Sequence, residues 1–461
     1  MDIKDNMDSA SYIASYVQRG RDAQKAFEKY SQEEVDKAVM AIAKAVYDNA
    51  MELAELAVSE SGMGDVDDKV IKNRSKAAVI WNSLRGKKSR GVIDRDDKTG
   101  ITKIAKPMGV VAAITPCTNP IVTPMSNAMF SLKSGNSIII TPHHKAINSS
   151  TKAVQYMNEA LKKLSMPNNL IQILDQQSRE NTKALISSCD VVIATGGMGM
   201  VKAAYSSGKP ALGVGAGNVQ CIIDYGVDYR AALKKAVDGR AFDNGIICSG
   251  EQSIIIPEKD KEEIYSILRE EGCLLITDEK ERNALREALF IEGAMNRHLV
   301  GQPAEKVAEF AKIPGGKGVR VIVVEAEAHG DKELLSKEKM CPVLVAHSYR
   351  NFEEAVAIAS ENLEVEGKGH SVSIHSDNED HILYAGEKLS VSRFLVNQAC
   401  SFTAGGSYFN GLAPTNTLGC GSWGNNSLSE NLTYTHLMNI SRIASYMAQN
   451  QVPEEEDLWN I

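Results

Sequence analysis

Eight cysteines are scattered along the chain, at positions 117, 189, 221, 248, 273, 341, 400 and 420. None forms a CxxC pair, so the common zinc spacings and a small disulfide framework are both excluded. Cysteine chemistry here would belong to one reactive thiol, since the thiolate is the competent nucleophile. Cys248 has the most suggestive setting, in a glycine-containing turn between the apolar Ile246-Ile247 and the polar Ser249-Gly250-Glu251-Gln252. The other seven read as small buried hydrophobes. His143 and His144 are adjacent, with no histidine at i+4, which is poor spacing for a metal and reads as a solvent-facing loop. Neither glycine cluster, 196–199 or 213–217, fits G-x-G-x-x-G, and PGGKG at 314–318 lacks the Walker spacing. Generic fingerprints leave only an α/β protein with a crevice at its strand ends.

Elements must place such a thiol. Residues from about 10 to 85 carry apolar positions at helical spacing, with Ser31 and Glu34 forming a capping box. Residues 91–106 read as a polar hairpin turning at 97–100. Continuous apolar runs then alternate with helical segments: GVVAAIT (109–115), NSIIIT (136–141), NLIQIL (169–174) and VVIAT (191–195). Thr123 and Pro124 are expected to cap and open the first intervening helix, and Gly135 to close it. This alternation predicts a doubly wound parallel sheet, and a second one resumes after about residue 228. The expected fold class is therefore α/β with two doubly wound domains. Residues 1–225 form the first, including the hairpin, and 226–426 the second. Residues 427–461 are expected as a tail at a neighbour or on the hairpin.

The bulk numbers set outer limits. The 461 residues are 43% hydrophobic and 24% charged, ordinary for a globular chain with sizeable cores. The net charge of -8 argues against a nucleic-acid partner. No apolar run reaches membrane-span length, and no secretory signal is evident, so a cytoplasmic location is expected.

Four segments carry a resemblance: TPCTNP (115–120), ATGGMGMVKAAYSSGKP (194–210), FDNGIICSGEQS (242–253) and EKMCPV (338–343). Together they resemble the aldehyde dehydrogenase superfamily, and specifically its CoA-acylating branch, over about residues 15–450. The resemblance implies that fold, a nicotinamide cofactor, coenzyme A as co-substrate and no metal. Cys248 matches the catalytic cysteine. Asn119 matches the oxyanion donor, an interaction typically worth ~3–4 kcal/mol of barrier. Glu338 matches the glutamate that binds the nicotinamide ribose, with Cys341 where that segment usually has glycine. Thr115, Pro116, Thr141, Pro142, His143, Gly196, Gly197 and Val201 match cofactor-contacting positions. His370, in GKGHSVSIHS, matches a histidine of the acylating branch and is the candidate to handle the CoA thiol proton. One departure is informative. Where hydrolytic members carry a water-activating glutamate, this chain reads Ala211-Leu212-Gly213-Val214-Gly215-Ala216-Gly217, with no carboxylate. Water is then a poor second nucleophile and a thiol a better one.

Lys76, in KNRSKAAVIW, stands where succinate-semialdehyde types carry lysine, so it is expected to pair with a distal substrate carboxylate; Arg74 is its competitor. Ser249 is expected to shape the same pocket. Succinyl-CoA and succinate semialdehyde are the expected pair, acetyl-CoA and acetaldehyde the alternative. Pro142-His143-His144-Lys145, cationic and lacking an acid, tilts the cofactor toward NADP(H), with NAD(H) the alternative. Two further alternatives are an inactive scaffold and a non-redox acyltransferase. The hairpin and tail resemble exchange surfaces, so a homodimer or higher homo-oligomer is expected.

Overall fold

In the computed structural model, which describes residues 8–459, four helices come first: α1 (Ser9–Phe27), α2 (Gln32–Asp48), α3 (Ala50–Ser61) and α4 (Val66–Leu84). The Ser31 hydroxyl accepts from the Glu34 amide, and the Glu34 carboxylate accepts from the Ser31 amide, so the expected capping box opens α2. The hairpin follows as β1 (Gly91–Asp96) and β2 (Ile101–Pro107).

The alternation then runs β3 (Val110–Ile114), α5 (Val122–Lys133), β4 (Ser137–Thr141), α6 (Ile147–Lys163), β5 (Ile171–Ile173), α7 (Arg179–Ser188), β6 (Val191–Ala194), α8 (Met198–Tyr205) and β7 (Ala211–Gly213). These strands make a parallel sheet in the order β5-β4-β3-β6-β7. Every residue of β3 and β4 is buried, as strands covered on both faces require. The order reverses between β3 and β6, which opens a crevice at their carboxyl ends. One helix start differs from expectation. Thr123 does not cap α5; the helix begins at Val122, and the Thr123 hydroxyl is buried without a partner. All of α5 is buried, so packing rather than capping sets its end.

The second sheet starts sooner than the sequence suggests. Its elements are β8 (Val219–Ile223), α9 (Tyr229–Ala241), β9 (Glu251–Pro257), α10 (Lys261–Glu270), β10 (Cys273–Ile276), α11 (Glu279–Leu289), the ribbon β11 (Phe290–Ile291) and β12 (Ala294–Met295), α12 (Ala304–Phe310), β13 (Val321–Glu325), β14 (Val343–Tyr349), α13 (Phe352–Val365), β15 (Gly369–His375), α14 (Glu379–Lys388), β16 (Val391–Val396) and α15 (Cys400–Thr403). Seven strands pair in parallel in the order β10-β13-β14-β9-β8-β15-β16. The chain changes sheets between Gly213 and Val219, ahead of residue 226. The intervening glycine-rich run masked β8, a short strand with no polar alternation.

The last strand, β17 (Met438–Ala444), returns to the first half and pairs antiparallel with β2, from Met438 opposite Pro107 to Ala444 opposite Ile101. Leu428, Leu432 and Leu437 join the core of the first domain, and the Asn136 amide donates to the Leu437 carbonyl at 2.9 Å. Among the described residues no helix is long and apolar enough to cross a membrane.

Candidate active site

A cavity lies between the two sheets, and Cys248, Asn119, Lys72, Lys76, Ser249 and Ser401 are on its wall. Asn119 comes from the loop after β3, at the carboxyl end of the first sheet. Cys248 and Ser249 come from the turn before β9, at the amino end of the second. Half of the site thus sits at strand starts, where generic α/β reasoning does not look.

The turn that carries Cys248 is unusual in its backbone. Asp243, Asn244 and Gly245 are successive left-handed residues, with φ of 52°, 51° and 67°. For a non-glycine residue that conformation costs on the order of 1 kcal/mol, and it persists only where neighbours over-determine it. Asp243 supplies that determination. Its carboxylate is fully buried, takes the Lys69 ammonium at 3.0 Å and the Lys72 ammonium, and accepts from the Asp65 amide at 3.0 Å. Its own amide donates to the Asp68 carboxylate at 2.7 Å. The start of α4 is thereby stapled to the Cys248 turn. Replacing Asp243 with alanine leaves two buried ammonium groups uncompensated and is expected to cost about 3–5 kcal/mol in urea unfolding. A loss under ~1 kcal/mol would show that the staple does not hold the turn.

A second clamp is Arg240, wholly buried on α9. It donates to the carbonyls of Cys341 at 2.9 Å and Glu251 at 3.1 Å, and also to that of Lys339. Those bonds fix the Glu338–Cys341 segment beside Cys248. Gly217 is needed for close approach, because a Cβ there would run into the Cys248 carbonyl.

Burial and the nearby Glu338 carboxylate push the Cys248 thiol up to about 12, so the resting group is protonated. Burial, reinforced by Glu366, raises Glu338 to about 8. Burial pulls the Lys76 ammonium down to about 8, and among the described residues its one bond is to the Gly405 carbonyl at 3.1 Å. The Ser249 hydroxyl is buried, 3.5 Å from the Ser401 carbonyl. Arg74 is exposed and lies over the Tyr47 ring at 5.9 Å, off the cavity wall, so it does not compete with Lys76.

His370 is not on the cavity wall. It is fully buried, both ring nitrogens lack partners, and burial with Arg393 nearby keeps it neutral.

The positions expected to meet the cofactor flank the crevice between β3 and β6. The Thr115 hydroxyl is buried and unpartnered. Gly196 and Gly197 have open space beside them, and α8 starts at Gly197 with no side-chain cap. An orphaned hydroxyl, an open glycine cradle and an uncapped helix start fit a dinucleotide. Pro116 is half-buried and Pro142 buried at the strand ends. The Thr141 hydroxyl donates to Gln177 at 2.8 Å. His143 is held near 4 by burial and by His144. The Val201 side chain is buried in the core against α7 and β6 neighbours, and its amide donates to the Gly197 carbonyl at 3.3 Å. Among the described residues no cluster of ligating side chains could hold a metal ion.

Lys72, Asp243 and Arg240 were not singled out from the sequence. Lys72 had a signal, since it lies four residues before Lys76 and so on the same helical face.

Residues 6–424 match the aldehyde dehydrogenase family, and the chain belongs to it. Among its relatives, a succinate-semialdehyde dehydrogenase (acetylating) of Clostridium kluyveri is 50% identical over 97% of this chain and 98% of its own. A sulfoacetaldehyde dehydrogenase of an Acholeplasma species is 40% identical over 96% of this chain and 93% of its own. The crystal structure of an acetylating aldehyde dehydrogenase from Geobacillus thermoglucosidasius superposes with a TM-score of 0.93, at 36% identity, covering 97% of this chain and 98% of that one. The protein is an oxidoreductase acting on aldehydes, and its likeness within the family is to the acylating members.

Proposed function

We propose that this enzyme interconverts succinyl-CoA and succinate semialdehyde, with NADPH as the reductant and a Cys248 thioester as the intermediate. The charge on the cavity wall carries this reading. Lys72 and Lys76 line it, and among the described residues no carboxylate does. The Lys72 ammonium is held by Asp243, which leaves Lys76 to meet one carboxylate on the acyl tail.

In the oxidative direction, the Cys248 sulfur adds to the aldehyde carbon. The Asn119 amide and the Cys248 backbone N–H hold the oxygen as it becomes negative. When bound, the nicotinamide accepts a hydride in this direction and donates one in the other. Thr115, Gly196, Gly197 and Glu338 would hold it. Collapse of the adduct leaves an acyl group on Cys248. The CoA thiol then attacks that carbonyl carbon, and the Cys248 sulfur leaves and takes up the thiol proton. With no carboxylate in 211–217, water has no activating base there. The 2′-phosphate of NADP would meet Lys145 and His144 beyond β4. The sheet of β1, β2 and β17, with Val92 and Ile443 half exposed, is the surface through which a homodimer would form.

The test is absorbance of reduced nicotinamide with succinyl-CoA or acetyl-CoA, supplying NADPH and NADH separately. Oxidation with succinyl-CoA is expected to exceed that with acetyl-CoA by at least about tenfold. Preference for acetyl-CoA would keep the thioester chemistry and discard the substrate. No oxidation with either, by folded protein, would favour the non-redox readings.

A further inference from the structure

The stretch from Glu338 to Pro342, just ahead of β14, belongs to no strand. Its backbone N–H and C=O groups therefore need partners from outside a sheet ladder. Side chains supply most of them. The Glu338 amide donates to the Glu366 carboxylate at 2.9 Å, and Arg240 holds the carbonyls of Lys339 and Cys341. The Met340 carbonyl accepts from the Gly301 amide at 2.8 Å. The Lys339 amide donates to Gln252 Oε1 at 2.9 Å, and Gln252 Nε2 donates back to the Lys339 carbonyl at 3.2 Å.

One glutamine side chain thus meets the N–H and the C=O of a single residue together, as the backbone of a neighbouring strand would. Only one orientation of its amide satisfies both, since the N–H needs the oxygen and the carbonyl needs the nitrogen. Gln252 is buried, is the second residue of β9 and lies four positions after Cys248. Its hold is on the residue next to Glu338. The buried Lys339 ammonium donates to the Leu335 and Lys337 carbonyls at 2.6 and 2.7 Å. Those bonds stay within residues 335–339, so they stiffen the segment without fixing it to β9. Arg240 spans the gap from α9 but meets carbonyls alone. Among the described residues, Gln252 is the one partner of the Lys339 amide.

We propose that Gln252 sets where Glu338 stands relative to Cys248, and so governs how tightly the nicotinamide ribose is held. The inference rests on Glu338 being the group that holds that ribose. Gln252 spends its amide on Lys339 and acts through Glu338, so it is a positioning residue. Its leverage comes from geometry. A hydrogen bond to the ribose weakens steeply once distance or angle leaves a narrow range, and a side chain on an unpaired loop keeps that range only while its backbone is pinned. Gln252 pins it to the strand that the Cys248 turn opens, which keys the cofactor's grip to the position of the thiol.

The test is NADPH binding to the intact enzyme, followed by its fluorescence, in a double-mutant cycle of Gln252→Leu and Glu338→Ala. Gln252→Leu keeps the volume and removes both bonds, and its Kd for NADPH is expected to rise about tenfold. Iodoacetamide labelling of Cys248 in the absence of cofactor should stay within about twofold, because the Cys248 turn has its own staples. Adding Gln252→Leu to Glu338→Ala should change Kd by less than about twofold more, since Gln252 acts through the side chain already removed. Gln252→Asn, too short to reach Lys339 with both groups, decides the matter if the leucine variant fails to fold. Additive losses, or NADPH affinity and Cys248 labelling lost together, would show a merely structural role and overturn the proposal. An unchanged Kd in Gln252→Leu, with affinity lost in Glu338→Ala, would overturn the positioning role alone. Unchanged affinity in Glu338→Ala would overturn the reading of Glu338 itself.

Discussion

Cys248→Ala is expected to lose at least about 10⁵-fold in turnover while the nicotinamide still binds within about twofold, read by quenching of its fluorescence. The size follows from what the thiol does. Without it there is no covalent adduct, no acyl intermediate and no second half-reaction for CoA to complete. Apart from Glu338, the cofactor positions lie on the other sheet, along β3, β4 and α8, so their geometry does not depend on the Cys248 side chain. Turnover surviving the change would sink the scheme. Joint loss of turnover and cofactor binding would instead show that the Cys248 turn props up the crevice.

Lys76→Ala is expected to raise KM for succinyl-CoA by about 10–100-fold, the effect of losing a charge-assisted hydrogen bond of roughly 1.5–3 kcal/mol. Acetyl-CoA should change by less than about twofold, since it has no distal charge to lose. The neighbouring Lys72 cannot stand in, because its ammonium is committed to Asp243. Lys76 has only the Gly405 carbonyl to leave behind when a carboxylate arrives. Steady-state kinetics on both thioesters check this. Equal changes with the two would mean that Lys76 shapes the pocket without reading charge.

The layered architecture and the setting of Cys248 were legible in the sequence because each has a local signature. Apolar runs of strand length mark β3, β4 and β6, and the motif around Cys248 is contiguous. The point where the sheets change was not legible, because β8 follows a glycine-rich run and offers no alternation. Asp243 was hidden for another reason. Its importance lies in ion pairs with Lys69 and Lys72, some 170 positions earlier, and in a left-handed backbone that no composition rule foretells. Gln252 was hidden too, since a lone glutamine near a strand start reads as surface until its burial is seen. His370 shows the reverse case. The sequence marks it, yet it is enclosed away from the cavity wall.

The return of β17 to β2 has a consequence for how the chain is made. The first domain is discontinuous: its core needs Leu428, Leu432 and Leu437, and its hairpin needs β17 as a partner. A ribosome that has delivered residues 8–213 has therefore not delivered a complete domain. The second sheet, continuous from Val219 to Val396, has all its strands first. Domains usually finish in the order of synthesis. Here the domain begun first closes last, and Thr415, Asn416 and Leu418 of the cavity wall arrive on that final stretch. The reactive thiol is thus walled in only after nearly the whole chain has been translated.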